Sequence, residues 1–424
     1  VGCSVGCGID VLSRDNNLVR IEGNWDAPMN EGVICEVGRF LPLTDKCDRL
    51  VTPMIRKNGS LKASTWEEAL SVIQSGLAPF KGKKSDGLAA LVSTRLPVES
   101  LHAFKKLFAG FLDAEIVTTV EDSAPFEAIS SYARKLGKPF ESNLASLESS
   151  DGVLVLSVDL VKDHQVAGFF IKRNLAKGTR LLVIDENENG LDSISNKSIK
   201  PGKAAKADIF KGLSAAIVKL GLAKGQPFVK AEDLDAYAAK TGISTDDYLD
   251  AAFVIASAQK PVIVYNHYED MPGLLEFAGL INAELVSVKG MANTLAAAQL
   301  DLEKVNQAQD YKAAFIALGD DEISQKLLKE IEKIPFKVVA ASYSTALTAG
   351  ADVVLPAATW LEQTGHYISL DGRVQEAHAA LKPAEEIWTI EETLLAMAKK
   401  FDVKIDAEWM DSVHRSISPV ELVA

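Results

Sequence analysis

From about residue 60 onward, short apolar runs alternate with longer segments of helical period. The runs Leu88–Ser93, Val153–Val158, Leu181–Asp185, Val262–Asn266, Leu285–Val288, Phe315–Gly319, Val338–Ser342 and Val353–Leu355 are nearly continuous in apolar character. A strand with no polar face is buried on both sides, as in a parallel sheet covered by helices. The segments Trp66–Leu77, Glu99–Leu112 and Ala167–Ala176 have the helical spacing to supply such covers. Thr65 precedes Trp66-Glu67-Glu68 and reads as an N-cap, with the acids in the first turn where the helix dipole favours them. So many strands exceed what one sheet on one core usually holds, so two or more sheets are expected, with a boundary in the polar, charged stretch Lys224–Tyr248.

The amino-terminal end has a different texture. Ile9–Leu12 and Leu18–Glu22 read as extended runs joined by Asp15-Asn16-Asn17, which is turn chemistry for a hairpin. This predicts a small β-rich piece ahead of the α/β body.

A chain of 424 residues exceeds a single core, and 47% hydrophobic with 24% charged residues is an ordinary globular composition. A net charge of −13 argues against a nucleic-acid binder, which needs a basic surface for phosphates. No apolar run reaches the roughly 18 residues of a membrane-spanning helix, and no succession of basic, apolar and small residues marks a signal peptide. The expectation is a soluble, cytoplasmic chain.

All four cysteines, Cys3, Cys7, Cys35 and Cys47, lie within the first fifty residues. Clustering at one end favours a metal site in a reducing compartment over a disulfide framework. Cys3 and Cys7 share a loop with Gly2, Gly6 and Gly8, whose freedom allows tight folding and amide hydrogen bonds to sulfides. A [4Fe-4S] cluster takes four cysteines, so Cys3, Cys7 and Cys35 leave one ligand to find. A structural zinc is the alternative, although no histidine precedes His102 to complete a familiar set.

The spacing of Cys3, Cys7 and Cys35 is similar to the end of the pattern C-x2-C-x3-C-x26-28-C in the molybdopterin oxidoreductase superfamily, as in formate dehydrogenases, nitrate reductases and the large subunit of respiratory complex I. The resemblance puts the first cysteine of the pattern just before Val1, and Cys47 at a non-ligand position, as a small buried hydrophobe. It extends through Leu50-Val51-Thr52-Pro53-Met54-Ile55-Arg56 with Trp66-Glu67-Glu68-Ala69-Leu70, and through Ala351-Asp352-Val353-Val354-Leu355-Pro356-Ala357 to Asp371-Gly372-Arg373-Val374-Gln375.

This resemblance implies a small β-rich [4Fe-4S] domain at 1–56, then two doubly wound α/β domains of the formate dehydrogenase type. These would occupy 57–115 plus 259–385, and 116–258, with a tail at 386–424 and no carboxy-terminal barrel domain. Complete enzymes of the family hold molybdenum or tungsten on two pterins, and several positions here imply loss of that group. No cysteine follows Cys47 to bind the metal near Glu121-Asp122-Ser123-Ala124-Pro125, leaving Asp122 or Ser123 as possible oxygen ligands. Val37 stands where active relatives carry a lysine beside the cluster. The pterin loop survives only as Lys289-Gly290-Met291-Ala292-Asn293-Thr294-Leu295. Asp185, at a strand end suited to gripping a ribose, together with Gly290 and Asn293 would mark a vestigial pterin surface. His366 reads as scaffold.

The implied protein is an iron-sulfur electron-transfer subunit of the NADH dehydrogenase kind. Its partners would be further iron-sulfur and flavin subunits, with indirect membrane association through the complex. A molybdenum or tungsten bis-pterin oxidoreductase, formate dehydrogenase-like, is the alternative.

Overall fold

The computed structural model describes residues 2–44, 47–82, 87–121, 144–202, 204, 206–266, 270–288, 290–302 and 310–413. Two compact units divide the chain. The first comprises 1–27, 36–134 and 291–424, the second 28–35 and 135–290.

In the first unit, β1 (Ile9–Arg14) and β2 (Asn17–Gly23) form the expected hairpin. Asp15 and Asn16 both take positive φ, 51° and 59°, which a tight primed turn requires at its two central residues. Its main sheet is built from β3 (Met54–Lys57), β4 (Ser60–Ala63), β5 (Leu88–Val92) and β6 (Ile116–Thr119).

The second unit intervenes with β7 (Gly152–Leu156), β8 (Arg180–Ile184), β9 (Lys197–Ile199), β10 (Pro261–Tyr265) and β11 (Glu284–Ser287). The chain then returns to the first unit as β12 (Ala313–Gly319), β13 (Phe336–Ala341), β14 (Val353–Pro356), β15 (Gly365–Ile368) and β16 (Val374–Ala377).

The first unit's sheet has seven strands in the order β4-β3-β14-β13-β12-β5-β6. The run from β14 to β6 is parallel, while β3 pairs antiparallel with β14 and β4, at the sheet edge, antiparallel with β3. The central strands β5, β12 and β14 are buried along their whole length, which is why they carry no polar face. Phe315 on β12 meets Phe108 and Phe104, with ring centroids 5.0 and 6.3 Å away. Those two rings come from the helix Val98–Lys105 and its continuation Lys106–Phe111. The continuation widens, and Leu112 N donates to Leu107 O five residues back. The helix Trp66–Leu77 starts as expected, with the Thr65 side chain accepting from Glu68 N.

The second unit holds a five-stranded parallel sheet in the order β11-β10-β7-β8-β9. Two expected boundaries therefore shift. Residues 259–290 are expected in the first α/β segment, but β10 pairs with β7 and β11 pairs with β10. Residues 116–119 are expected in the second, but β6 pairs with β5. Apolar runs look alike wherever they go; only hydrogen-bond pairing sorts them.

The polar stretch Lys224–Tyr248 is not a boundary either. It folds within the second unit, where Leu234 and Tyr248 are buried. The Tyr248 hydroxyl bonds Thr241 Oγ1 at 2.9 Å, and its ring lies so close to Gly212 that a Cβ there would sit 2.4 Å from it. Burial drives the Tyr248 phenol up to about 12. The polar residues are the outer faces of short helices. Likewise the tail contains a packed helix, Ile390–Lys400, with Leu394, Met397 and Ala398 buried.

Candidate functional site

The cysteine loop of the first unit is seated on the β15–β16 hairpin. Ser4 and Val5 are buried, and Leu370 N donates to Ser4 O at 2.7 Å. Gly6 has φ +69°, and a Cβ on it would stand 2.8 Å from both Gln375 Oε1 and Ser369 Cβ. Only glycine fits here, for conformation and for space. The turn Ser369–Arg373 is cross-braced: Ser369 Oγ donates to Asp371 Oδ1 at 2.5 Å, Arg373 N donates to Ser369 Oγ at 3.2 Å, and Ser369 N donates to Arg373 O at 3.0 Å. Arg373 Nη2 lies 3.5 Å from Asp371 Oδ2. Two segments separated by some 360 residues in sequence thus form one seat.

In the second unit, Cys35 ends a turn made by Asn30, Glu31 and Gly32. Asn30 is fully buried, its backbone O accepts from Val33 N and its side-chain amide donates to Val33 O, both at 2.7 Å. Glu31 and Gly32 take positive φ, 46° and 77°. Arg173 holds this turn from the helix Gln165–Leu175, pairing with Glu31 at 3.4 Å and with Glu148 while lying over the Phe170 ring at 4.8 Å.

Cys3, Cys7, Cys35 and Cys47 are all thiols outside any disulfide. Cys47 is half-buried, not a core hydrophobe as expected, and it leads into the bridge between Arg49 and Tyr343. Among the described residues no three or more histidine, cysteine, aspartate or glutamate side chains converge as around one metal ion. A four-iron cluster takes a thiolate at each of its corners, so its ligands stand apart. The soft donors and the glycine-walled loop fit such a group.

A polar group that the sequence reading did not single out occupies the carboxyl ends of β5 and β12. These adjacent strands lead the chain in opposite directions across the sheet, the place where open α/β sheets bind ligands. Ser93 Oγ donates to Asp321 Oδ2 at 2.6 Å, and Arg95 pairs with Asp320 at 2.9 Å and Asp321 at 3.4 Å. Burial works against the Arg95 charge, and the two aspartates outweigh it, raising its pKa. Thr94 donates from both N and Oγ1 to Glu121 Oε1, at 2.8 and 2.6 Å, while burial pushes the Glu121 carboxyl above its usual range. The signal was available: Ser93-Thr94-Arg95 and Asp320-Asp321 directly follow apolar strands. Asp122 and Ser123, beyond Glu121, lie outside the described residues.

The three residues expected at a pterin surface have different fates. Asp185 follows β8 in a turn of its own, with Oδ1 accepting from Asn187 N at 3.0 Å and Oδ2 from Asn189 Nδ2 at 2.9 Å. Gly290 takes φ +69° and its carbonyl accepts from His164 Nε2 at 2.9 Å; burial lowers the His164 pKa. Lys289 lies outside the described residues. Asn293 belongs to the first unit and is 1% exposed, with Nδ2 donating to Leu96 O at 2.8 Å and Oδ1 accepting from Ile368 N at 2.6 Å. Both ends of that amide brace the fold, so the structure does not present Asn293 to a ligand. His366 has a scaffold's partners: its N donates to Glu99 Oε2 at 3.0 Å, Nδ1 pairs with Glu99 Oε1, and the ring lies 5.1 Å from Trp409.

The doubly wound sheet, the cysteine loop and the matching segments agree with one family. Residues 49–395 match the molybdopterin oxidoreductase family and residues 2–44 match the Fe4S4 domain of molybdopterin oxidoreductases, so the chain belongs to the molybdopterin oxidoreductase family. The second match supports a [4Fe-4S] cluster in the amino-terminal segment.

The chain is 23% identical to the F420-dependent formate dehydrogenase subunit alpha of Methanocaldococcus jannaschii, over 92% of its own length and 68% of that protein. It is 25% identical to the mitochondrial NADH-ubiquinone oxidoreductase 78 kDa subunit of Candida albicans, over 98% of its length and 54% of that protein. Against one subunit of an NADH-quinone oxidoreductase of Rhizobium meliloti it is 28% identical over 51% of its length and 25% of that protein. The chain thus spans between a quarter and about two thirds of these relatives. The acetylene hydratase structure from Pelobacter acetylenicus shares the fold, with a TM-score of 0.69 at 15% identity, covering 95% of this chain and 68% of that one. Among the described residues no helix is long and apolar enough to cross a membrane.

Proposed function

We propose that this chain is an iron-sulfur electron-transfer subunit of an NADH dehydrogenase-like complex, on a molybdopterin oxidoreductase fold that no longer holds the pterin. The observation that carries the reading is the distribution of thiols. All four lie in residues 3–47, and the rest of the chain offers none to a molybdenum or tungsten atom. Cys3, Cys7 and Cys35 would hold the cluster, with one further ligand beyond these three. When bound, a [4Fe-4S] cluster supplies one-electron transfer at a potential set by hydrogen bonds, charge and exposure. Gly6 and the Ser369–Arg373 turn set the shape of the loop bearing Cys3 and Cys7, and Arg173 steadies the turn bearing Cys35.

Loss of the pterin is supported by Asn293, whose amide is engaged with Leu96 and Ile368, and by Val37 at the lysine position. Asp185 and Gly290 would then be remnants of that surface. Two relatives are named as subunits of NADH oxidoreductases, which favours partner subunits for this chain. Those partners would carry other clusters and flavin, and through them the chain would reach the cytoplasmic face of the membrane.

A second reading, a molybdenum or tungsten bis-pterin oxidoreductase, is favoured by the Arg95–Asp320–Asp321 group at the ends of β5 and β12 and by the formate dehydrogenase relative. Elemental and pterin analysis of the anaerobically purified natural polypeptide separates the two. About four irons per chain without molybdenum, tungsten or pterin is the expected result. Stoichiometric molybdenum or tungsten with pterin would overturn it.

A further inference from the structure

The β15–β16 hairpin has a feature that seating alone does not require: a buried ion pair. The Asp371 and Arg373 side chains are 4% and 14% exposed, and Asp371 is tied through Ser369 Oγ to the residue that walls Gly6. A neutral turn residue would brace the loop as well. Burying an aspartate and an arginine instead costs desolvation that their 3.5 Å pairing must offset. Charges so placed are weakly screened and act on any redox group nearby. Cys7 is the next residue after Gly6.

We propose that Asp371 and Arg373 are positioning residues for the cysteine loop, and that their opposed charges set the reduction potential of the cluster that the loop holds. The inference rests on the cluster assignment above. Reduction adds an electron, so the Arg373 cation favours it and the Asp371 anion opposes it. Arg373→Gln uncovers the anion and lowers the midpoint potential; Asp371→Asn uncovers the cation and raises it. Arg373→Lys keeps the charge and holds the potential near that of the natural protein. A turn that merely folds the loop would weaken cluster retention in every variant without opposite shifts.

The seat itself is tested by a pair of glycines. Gly6→Ala forces a Cβ into Ser369 and Gln375 at positive φ, whereas Gly110→Ala, outside the cysteine loop, meets nothing within 4 Å. Gly6→Ala therefore loses the cluster to a chelator at least tenfold faster, and Gly110→Ala at the natural rate.

The experiment is redox titration of the visible absorption, together with chelator-driven bleaching, on the anaerobically purified natural polypeptide and these variants. Opposite shifts for Arg373→Gln and Asp371→Asn, with Arg373→Lys unmoved, are the expected result. Shifts of the same sign, or none, in protein that carries its cluster overturn the inference and leave the cluster assignment standing. Natural protein with no iron and no visible absorption removes both.

Discussion

Replacing Asn293 with alanine tests whether its amide is a brace or a ligand-binding group. The substitution strands two buried backbone groups, Leu96 O and Ile368 N, now bonded at 2.8 and 2.6 Å. Each stranded group costs about 1–3 kcal/mol, and a non-glycine residue in the left-handed region adds about 1 kcal/mol, Asn293 having φ +49°. Some relaxation and water entry offset this, so a loss of about 3 kcal/mol is expected from those terms. Asn293→Gly restores a few tenths to about 1 kcal/mol by relieving the backbone. The assay is urea unfolding followed by tryptophan fluorescence. Trp25, Trp66, Trp360, Trp388 and Trp409 all belong to the first unit, as Asn293 does, so the signal reports that unit. A change below about 0.5 kcal/mol, within the range of an inconsequential surface substitution, would refute the brace and return Asn293 to the pterin surface.

Other substitutions follow from the same contacts. Phe315→Ala empties a fully buried site between Phe104 and Phe108 and should cost about 3–5 kcal/mol in the same assay, with Phe315→Leu milder. Thr65→Ala removes the cap on Glu68 N and should cost about 1 kcal/mol, largely recovered by Thr65→Ser. The bond to Glu99 raises the His366 pKa above 6.5, so the fold keeps a proton that the unfolded chain releases; stability from this pair is full below pH 6.5 and declines as pH rises through the higher folded value. His366→Gln should flatten that alkaline decline in melting temperature, and an unchanged slope would sink the assignment. His102 acts in the opposite sense, because burial lowers its pKa and stability is lost as pH falls below 6.5; His102→Gln should flatten the acid side.

Local physics made the elements legible. Continuous apolar runs marked β5, β7, β8 and β10 to β14 because each is buried on both faces, and Thr65 marked a helix start because a cap acts within four residues. Strands β3 and β4, with Arg56, Lys57 and Lys62 in them, show no such run; they exist because β14 offers β3 a side to pair with, and β3 in turn offers one to β4. Strand β6 ends in Thr118-Thr119 and likewise shows no long apolar run, being defined by its place beside β5.

The sequence by itself determined most of the element types, the family and the thiol set, since these depend on periodicity, on motif order and on which residues carry sulfur. Tertiary structure alone decided which sheet each apolar run joins, because hydrogen-bond pairing between distant strands leaves no local trace. It also decided that Gly6 meets Ser369 and Gln375, that Asn293 turns its amide inward, and that Arg95 finds Asp320 and Asp321. Each of those contacts joins residues more than 50 positions apart, where side-chain chemistry names possible partners and only the folded path of the chain selects among them.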